Sequence, residues 1–179
     1  MPRNWEERYA DAASLNFTPS SLLTEMAELV RPGRALDLAC GAGRNALFLA
    51  SLGWSVVAVD ASSAAIRIVR ERAAAEGLAI DARVADLEQG QFVIEPEGFD
   101  LICDVFYLDR NLFPQIRTGI RLGGLFAGEI HLKDNTPHRF VVDPGELRRE
   151  FEGWKILYYS EAPPAGHSRP AARILARRA

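Results

Sequence analysis

The sequence predicts an α/β protein, a three-layer sandwich in which helices cover both faces of a mostly parallel, seven-stranded sheet. Two observations predict this fold. Up to residue 132, short apolar strand-like segments alternate with helical segments, and such alternation produces a parallel sheet with helices on both faces. The last two strand-like segments are joined by a loop too short for a crossover helix, so we expect them to pair as an antiparallel C-terminal hairpin.

Turn and capping residues set the expected boundaries of the elements. Thr18-Pro19 predicts a helix start, because threonine is an N-cap and proline fits the first helical position. Gly123-Gly124 is expected to end a later helix that starts near Pro114, and Asp143 and Glu146 have the spacing of a capping box. The predicted helices cover residues 18–30, 43–52, 62–77, 110–122 and 143–151. The predicted strands cover residues 34–39, 55–60, 80–85, 99–104, 125–132, 154–160 and 171–177.

Length and composition indicate one globular domain over residues 1–179, since 179 residues with 48% apolar side chains suffice for a core. Within it we expect a helical lid (1–33), a cofactor-binding core (34–132) and a flap, short helix and hairpin (133–179).

A net charge of −3 gives no general attraction to nucleic acid, and no apolar run approaches the ~18 residues that span a membrane. The polar N-terminus is not a secretory signal. We expect a cytoplasmic monomer or homodimer without a membrane partner.

The cysteines and histidines give no indication of a metal or a disulfide. Cys40 and Cys103 match neither a disulfide framework nor a zinc spacing, and the three histidines are dispersed. We therefore expect no metal site.

The most informative segment is 34–50, which reads as a strand, a glycine-rich turn and an amphipathic helix. Such a turn brings the backbone close to a ligand at a helix N-terminus, where N–H groups lack partners. Asp60 ends the next strand, and a carboxylate at that position can hold both hydroxyls of a ribose. The pattern predicts a site for a nucleoside-type cofactor.

Three aspartates, Asp37, Asp60 and Asp86, lie at the carboxyl ends of successive predicted strands. A single one is as easily explained as a cap of the next segment, but three at the carboxyl edge of a parallel sheet indicate a ligand site. Arg44 lies at a helix N-terminus, where the helix dipole disfavours a cation. A bound carboxylate would explain this arginine, and the alternative is a solvated side chain.

A nicotinamide dehydrogenase is the competing interpretation, because residues 41–46 also fit the pattern Gly-x-Gly-x-x-Ala. Against it, Asp37 would repel a pyrophosphate, whereas it would attract an ammonium and a sulfonium. The chain also ends in a hairpin where a dehydrogenase would carry a substrate domain. The residues therefore favour S-adenosyl-L-methionine over a dinucleotide.

Several segments carry a family resemblance along nearly the whole chain: LDLACGAG, VVAVDAS, RVADLE, FDLICDVFYL and the terminal hairpin. In these the chain resembles class I S-adenosylmethionine-dependent methyltransferases, which implies a Rossmann-like methyltransferase fold. In CGAGRNALFLA and in GELRREFEGWKILYYSE, GHSR and ILARR it resembles the tellurite-resistance-type small-molecule methyltransferases.

The resemblance assigns roles at the cofactor. It implies that Asp37 binds the methionine end, that Asp60 holds the ribose hydroxyls and that Asp86 accepts from the adenine amino group. Ala39 stands where the family often has glycine, and alanine fits the turn if its φ is negative. The remaining cofactor-binding positions that the resemblance implies are Gly41, Gly43, Arg44, Ala61, Leu87, Asp104 and Val105.

The reacting end is expected in the loops above the same sheet edge. Trp5 and Tyr9 are predicted to form a lid, with simple hydrophobic packing as the alternative. His131 is a candidate base, since histidine titrates near neutrality, although a lone histidine is more often structural. The resemblance implies that Val105 and Phe106 lie near the transferred methyl, and Phe106 and Tyr107 are the candidate substrate residues. His167 and Arg169 are candidate oxyanion ligands, with an exposed loop as the alternative, and Arg173 would add positive charge if it faces the pocket.

We conclude from the sequence that the chain is a methyltransferase for a small molecule, such as a selenite or tellurite species or a thiol. The second hypothesis is a non-catalytic module that binds the cofactor and regulates a partner. It would keep Asp37, Asp60 and Asp86 and have its reacting pocket filled by side chains.

Overall fold

The computed structural model describes residues 5–9, 15–26, 30–134, 139–164, 166 and 168–179. Its helices are α1 (Trp5–Arg8), α2 (Ser21–Met26), α3 (Arg44–Ser51), α4 (Ser63–Glu76), α5 (Phe113–Gly119) and α6 (Glu146–Glu150). Its strands are β1 (Arg34–Leu38), β2 (Ser55–Asp60), β3 (Ile80–Val84), β4 (Phe99–Val105), β5 (Ile120–His131), β6 (Lys155–Ser160) and β7 (Ala171–Arg177).

The seven strands form one sheet in the order β3-β2-β1-β4-β5-β7-β6. Strands β1 to β5 pair in parallel, while β7 is antiparallel to both β5 and β6. The predicted fold, with its antiparallel C-terminal hairpin, is therefore confirmed. Because β7 inserts between β5 and β6, the hairpin extends the sheet beside β5, next to the predicted reacting end.

Alternate residues of the central strands build two hydrophobic cores, one on each face of the sheet, since side chains along a strand point to opposite sides. Leu36 and Ile102 pack on the face covered by α5 and α6. Ala35 and Cys103 pack on the face covered by α2, α3 and α4. This arrangement gives the predicted three layers and leaves the carboxyl ends of the parallel strands at one edge.

The predicted helix boundaries are wrong at three points: the start of α2, the end of α5 and the start of α6. The helix predicted from Thr18-Pro19 begins at Ser21, because the hydroxyl of Ser20, and not that of Thr18, accepts the Leu22 N–H at 3.2 Å. The helix predicted to end at Gly123-Gly124 ends at Gly119, and the glycines lie inside β5. The chain needs glycine at 124, where a Cβ would lie 2.9 Å from the Asp100 carbonyl oxygen.

Other local signals agree with the structure. The Ser62 hydroxyl caps α4 by accepting the Ala65 N–H at 3.1 Å, and Gly77 ends the helix in the left-handed conformation. The capping box is half formed: Glu146 accepts the N–H of Asp143 at 2.8 Å, but the helix begins only at Glu146. Within the described residues, no helix has both the length and the apolar character to cross a bilayer.

Candidate cofactor and acceptor site

The turn after β1 is built from three residues in the left-handed conformation: Ala39 (φ 50°), Gly41 (φ 54°) and Gly43 (φ 83°). The condition under which alanine fits the turn without strain, a negative φ, is therefore not met at Ala39. The turn reverses the chain sharply enough for Gly43 to cap α3. This reversal requires Ala39 to adopt the left-handed conformation, which is unfavourable for alanine. A Cβ at position 43 would lie 2.7 Å from Val69 Cγ2, so only glycine lets α3 and α4 approach here.

Asp60 joins the turn after β1 to the turn after β2. Its Oδ2 accepts the Gly41 N–H at 2.8 Å, and its Oδ1 accepts the Ser62 N–H at 2.9 Å. Burial raises the pKa of Asp60, and the two backbone N–H groups oppose that shift. Each carboxylate oxygen keeps a further lone pair for a ligand hydroxyl, which is what a ribose-binding aspartate requires.

Asp37 is a buried carboxylate, with 1% of its surface exposed. Its Oδ1 lies 3.4 Å from the Cys103 thiol, which donates to it. Among the described residues, nothing hydrogen-bonds to its Oδ2. Burial raises the pKa of Asp37 to about 7, against the opposing effects of Cys103 and of the positive charge of Arg44. An unsatisfied buried carboxylate oxygen is costly, and a bound ammonium would satisfy it.

Asp104 is a second buried carboxylate. It lies on the neighbouring strand β4, opposite Leu38 of β1. It is 2% exposed, and its Oδ1 also lacks a hydrogen-bond partner within the described residues. Burial, followed by the negative charge of Asp37, raises the pKa of Asp104 well above its usual range. Two buried carboxylates with unsatisfied oxygens beside the glycine turn fit a cofactor that carries an ammonium and a sulfonium.

Asp86 lies at the expected sheet edge, half-buried after β3. Its Oδ1 accepts the N–H groups of Glu88 at 2.9 Å and Gln89 at 3.4 Å, so the side chain closes its own turn. The neighbouring Leu87 is buried in the core, while Ala61 is exposed beside Asp60. The capping role that a strand-end aspartate can play is therefore present at Asp86, and its role toward adenine stays a prediction.

The end of β4 places Phe106 in a strained conformation, with φ 64°. Its N–H donates to the Glu129 carbonyl at 2.6 Å, and its ring stacks on His131 with centroids 4.4 Å apart. The Arg44 guanidinium lies 5.7 Å from the Phe106 centroid. Left-handed φ is rare for bulky residues, and such strain concentrates at functional sites. Phe106, His131 and Arg44 are thus brought together beside the half-buried Val105.

Tyr107 packs against the segment that precedes α6. Its ring packs on Phe140 at 5.2 Å, and its buried hydroxyl makes no hydrogen bond to the part of the chain that the structure describes. Burial and the negative charges of Asp109 and Glu88 raise the pKa of Tyr107. Arg139 forms an ion pair with Glu88. Residues 139–142 therefore lie against both the turn after β3 and the end of β4.

The expected positive patch is neutralised by carboxylates. Arg173 is 7% exposed and faces the buried Glu129, with Nε 3.7 Å from Oε2. Arg169 Nε lies 3.1 Å from Asp134 Oδ2. Arg173 would add positive charge only if it faced the pocket, and its guanidinium faces Glu129 instead, as a buried guanidinium requires a counter-charge. His167 and the Trp5 side chain lie outside the described residues.

A buried polar network that the sequence did not reveal supports this edge. The Ser20 hydroxyl donates to Glu129 Oε2 at 2.6 Å, and its N–H donates to Asn45 Oδ1 at 3.0 Å. Arg173 donates to the hydroxyls of Ser21 at 2.7 Å and Tyr158 at 3.2 Å. The sequence signal for this network is the acidic Glu129 directly after the apolar run Leu125–Gly128. The network fixes the segment before α2 against α3, β5 and β7.

Tyr9 contacts the glycine turn directly. A Cβ at Gly41 would lie 2.5 Å from its hydroxyl oxygen, and burial, with the charge of Asp60, raises the pKa of Tyr9 to about 12. Within the described residues, no group of three or more His, Cys, Asp or Glu side chains is arranged to hold a metal ion.

The sheet order and this carboxyl edge define the class as Rossmann-like, S-adenosylmethionine-dependent methyltransferases. The family model described as "Tellurite resistance protein TehB" matches residues 4–171, and the chain belongs to this family. The family and the cofactor predicted from the sequence, S-adenosyl-L-methionine, are thereby confirmed.

Relatives and solved structures agree with this assignment. The probable S-adenosyl-L-methionine-dependent methyltransferase TehB of Haemophilus influenzae is 27% identical over 151 residues, which are 78% of this chain and 52% of the relative. Hemagglutinin 1 of Eikenella corrodens is 34% identical over 164 residues, 86% of this chain and 54% of the relative. The chain thus spans about half the length of the curated relatives that it matches.

Among crystal structures, TehB from Haemophilus influenzae superposes with a TM-score of 0.77 at 24% identity, covering 88% of this chain and 61% of that one. The 1,6-didemethyltoxoflavin-N1-methyltransferase of Burkholderia thailandensis, with bound 1,6-didemethyltoxoflavin and S-adenosylhomocysteine, superposes with a TM-score of 0.68 at 16% identity. That match covers 96% of this chain and 84% of the other. At these identities the likeness shows the shared fold.

Proposed function

We propose that the chain transfers a methyl group from S-adenosyl-L-methionine to a small molecule with a soft or oxyanionic nucleophile. The observation that carries the proposal is the unsatisfied Oδ2 of buried Asp37 beside the left-handed glycine turn. A buried acceptor of this kind fits an ammonium, and the Asp60 carboxylate, which lies 19 positions after Gly41, fits a ribose. Family membership supports the same chemistry.

The residues divide the work as follows. Asp37 accepts the cofactor ammonium, Arg44 pairs with its carboxylate and Asp60 holds its ribose hydroxyls. When bound, S-adenosyl-L-methionine supplies an electrophilic methyl on a sulfonium. The protein's contribution is mainly to position the acceptor and to exclude water, because charge is neutralised when an anionic nucleophile attacks a sulfonium.

The wall of the acceptor site is formed by Phe106 and His131. For a neutral acceptor such as a thiol, a proton must leave, and the His131 imidazole is the candidate to take it. An already anionic acceptor requires no base. Asp104 adds a second buried carboxyl group at this edge, with an Oδ1 that can accept a hydrogen bond from a ligand.

Between the two acceptor types, the charges favour a soft nucleophile over an oxyanion. Arg173 and Arg169 are engaged by Glu129 and Asp134, so their charge is already compensated. An oxyanion would have to compete with these carboxylates. A polarisable thiol needs only the aromatic wall and proton removal. We propose a thiol as the first acceptor to test, with selenite and tellurite beside it.

The first experiment is calorimetric titration of the purified protein with S-adenosylhomocysteine and, in parallel, NADH. We expect micromolar binding of S-adenosylhomocysteine alone. Binding of NADH alone would mean that the glycine turn serves hydride transfer. The second experiment incubates the protein with methyl-labelled S-adenosyl-L-methionine and a thiol, selenite or tellurite. The substrate proposal fails if none of the three is methylated while another small metabolite is.

A non-catalytic cofactor-binding module remains the second candidate, because the stacked rings of Phe106 and His131 occupy part of the reacting end. It predicts binding of S-adenosylhomocysteine without turnover over a broad acceptor panel. Replacing Phe106 with alanine separates the two: an enzyme loses turnover when its acceptor wall is removed, whereas the module has no turnover to lose.

A further inference from the structure

Helix α1 docks on the N-terminus of α4 through Glu6. The two carboxylate oxygens of Glu6 accept the N–H groups of Ser63 at 2.6 Å and Ala64 at 3.1 Å. The helix's own N-cap, Ser62, serves only the Ala65 N–H. Two of the backbone donors that every helix leaves unsatisfied are thus capped by a side chain 57 and 58 positions away.

The contact is favourable but reversible. A carboxylate at the positive end of a 14-residue helix is stabilised by the helix dipole as well as by the hydrogen bonds. The N–H of Ser63 accordingly lowers the pKa of Glu6. Because Glu6 is exposed, water competes for both partners, and the contact can break without unfolding the sheet.

The residue next to this anchored helix is Tyr9. Its hydroxyl fills the space beside Gly41 that a Cβ would otherwise enter. The same Gly41 donates to Asp60, whose other oxygen accepts from Ser62 at the foot of α4. Gly41, Asp60 and Ser62 thus form one corner between the turns after β1 and β2. Tyr9 contacts this corner at Gly41, and Glu6 binds the helix end that follows Ser62.

We propose that Glu6 is a positioning residue for the cofactor site: by holding α1 on α4, it keeps the Tyr9 hydroxyl over the corner of Gly41 and Asp60 and slows cofactor release. This inference rests on the proposed function, since it takes that corner as the ribose side of the site. Detachment of Glu6 frees α1, withdraws Tyr9 and opens the corner.

The test compares Glu6→Ala with Glu7→Ala, its exposed neighbour in α1. We expect Glu6→Ala to raise the dissociation rate constant of S-adenosylhomocysteine by about fivefold, the scale of a lost helix cap. Glu7→Ala should leave the rate within twofold of the wild type. Glu6→Asp, which keeps the charge on a shorter stem, should recover part of the loss.

A double variant distinguishes positioning from general stability. If Glu6 acts through Tyr9, Glu6→Ala combined with Tyr9→Phe releases the cofactor no faster than Tyr9→Phe alone. Independent, multiplicative effects would overturn the proposal.

A readout without cofactor separates this inference from the proposed function. Cleavage by trypsin after Arg8, followed by mass spectrometry, should be faster in Glu6→Ala than in Glu7→Ala. If cleavage rates match and release rates match, the positioning role of Glu6 is wrong. If the wild type binds no S-adenosylhomocysteine while cleavage still differs, the contact of Glu6 stands and the proposed function fails, taking the cofactor role of Glu6 with it.

Discussion

The Gly41 N–H donates a 2.8 Å hydrogen bond to the carboxylate of Asp60 and so ties the turn after β1 to the end of β2. The bond makes one rigid corner from two segments that lie on neighbouring parallel strands. The other oxygen of Asp60 accepts the Ser62 N–H, so each oxygen keeps a lone pair that no described backbone group uses. The same carboxylate thus builds the corner and is available to a ligand.

Replacing Asp60 with asparagine should weaken binding of S-adenosylhomocysteine by about tenfold or more. Asparagine keeps the shape and one acceptor oxygen, but a hydrogen bond to a charged group contributes about 1.5–3 kcal/mol. Calorimetric titration measures the change. Asp81→Asn, on the exposed edge strand β3, is the matched control and should bind like the wild type. Unchanged affinity in a folded Asp60→Asn variant would remove Asp60 from the site.

Binding of S-adenosylhomocysteine should strengthen as the pH rises from 5.5 to 7.5. The pKa of Asp37 is about 7 in the folded protein, so the carboxyl is mostly protonated at the lower pH and ionised at the higher. Only the ionised form attracts the ligand ammonium. Titrations across this range measure the effect, which should disappear in Asp37→Asn. A pH-independent affinity in the wild type would contradict the assignment.

Ionisation of Asp37, which favours ligand binding, destabilises the folded protein. Its folded pKa of about 7 lies above its ordinary value of 3.8, so between these values the folded state holds a proton that the unfolded state has lost. The contribution of Asp37 to the free energy of unfolding therefore falls as the pH rises from about 4 to 7. Asp37→Asn should unfold at a higher temperature than the wild type at pH 7.5 while losing ligand affinity. A lower melting temperature would argue against a desolvated charge.

Replacing Ala39 with glycine should stabilise the protein by up to about 1 kcal/mol. The left-handed conformation destabilises an alanine by about 1–2 kcal/mol, and glycine removes this strain. Part of the gain is lost because glycine increases the conformational entropy of the unfolded chain. Ala42 in the same turn does not have a positive φ, so Ala42→Gly should destabilise by about 0.5–1 kcal/mol. Urea denaturation compares the two. Equal shifts of the same sign would mean that the φ of Ala39 is not a source of strain.

Glu129 and Arg173 should behave as one unit in a double-mutant cycle. Both are buried, so Glu129→Leu alone or Arg173→Met alone leaves an uncompensated buried charge and should cost about 3–5 kcal/mol. The double variant should lose much less than the sum, because it removes both charges together. The free energies of unfolding from urea titrations close the cycle. Additive losses would show that the two side chains are not coupled.

Much of the site follows from local sequence signals. Glycines at 41 and 43 mark a left-handed turn, and Asp37 and Asp60 follow apolar strand residues, so their place at one sheet edge follows from parallel topology. The signals failed where a longer-range contact overrode them. Gly123-Gly124 looks like a helix end, but pairing with Arg178 extends β5 through both glycines. Ala39 is left-handed because the turn as a whole requires it, although alanine disfavours that conformation.

By itself, the sequence determined the alternation of strands and helices, the antiparallel end of the sheet and the placing of Asp37 and Asp60 at one sheet edge, because periodicity, caps and turn residues act over a few positions. Only the tertiary structure decided that β7 inserts beside β5, that Ser20 reaches Glu129 across 109 positions and that Glu6 caps α4 across 57. Such partners leave no local pattern, since burial and chain packing select them after the sheet has formed.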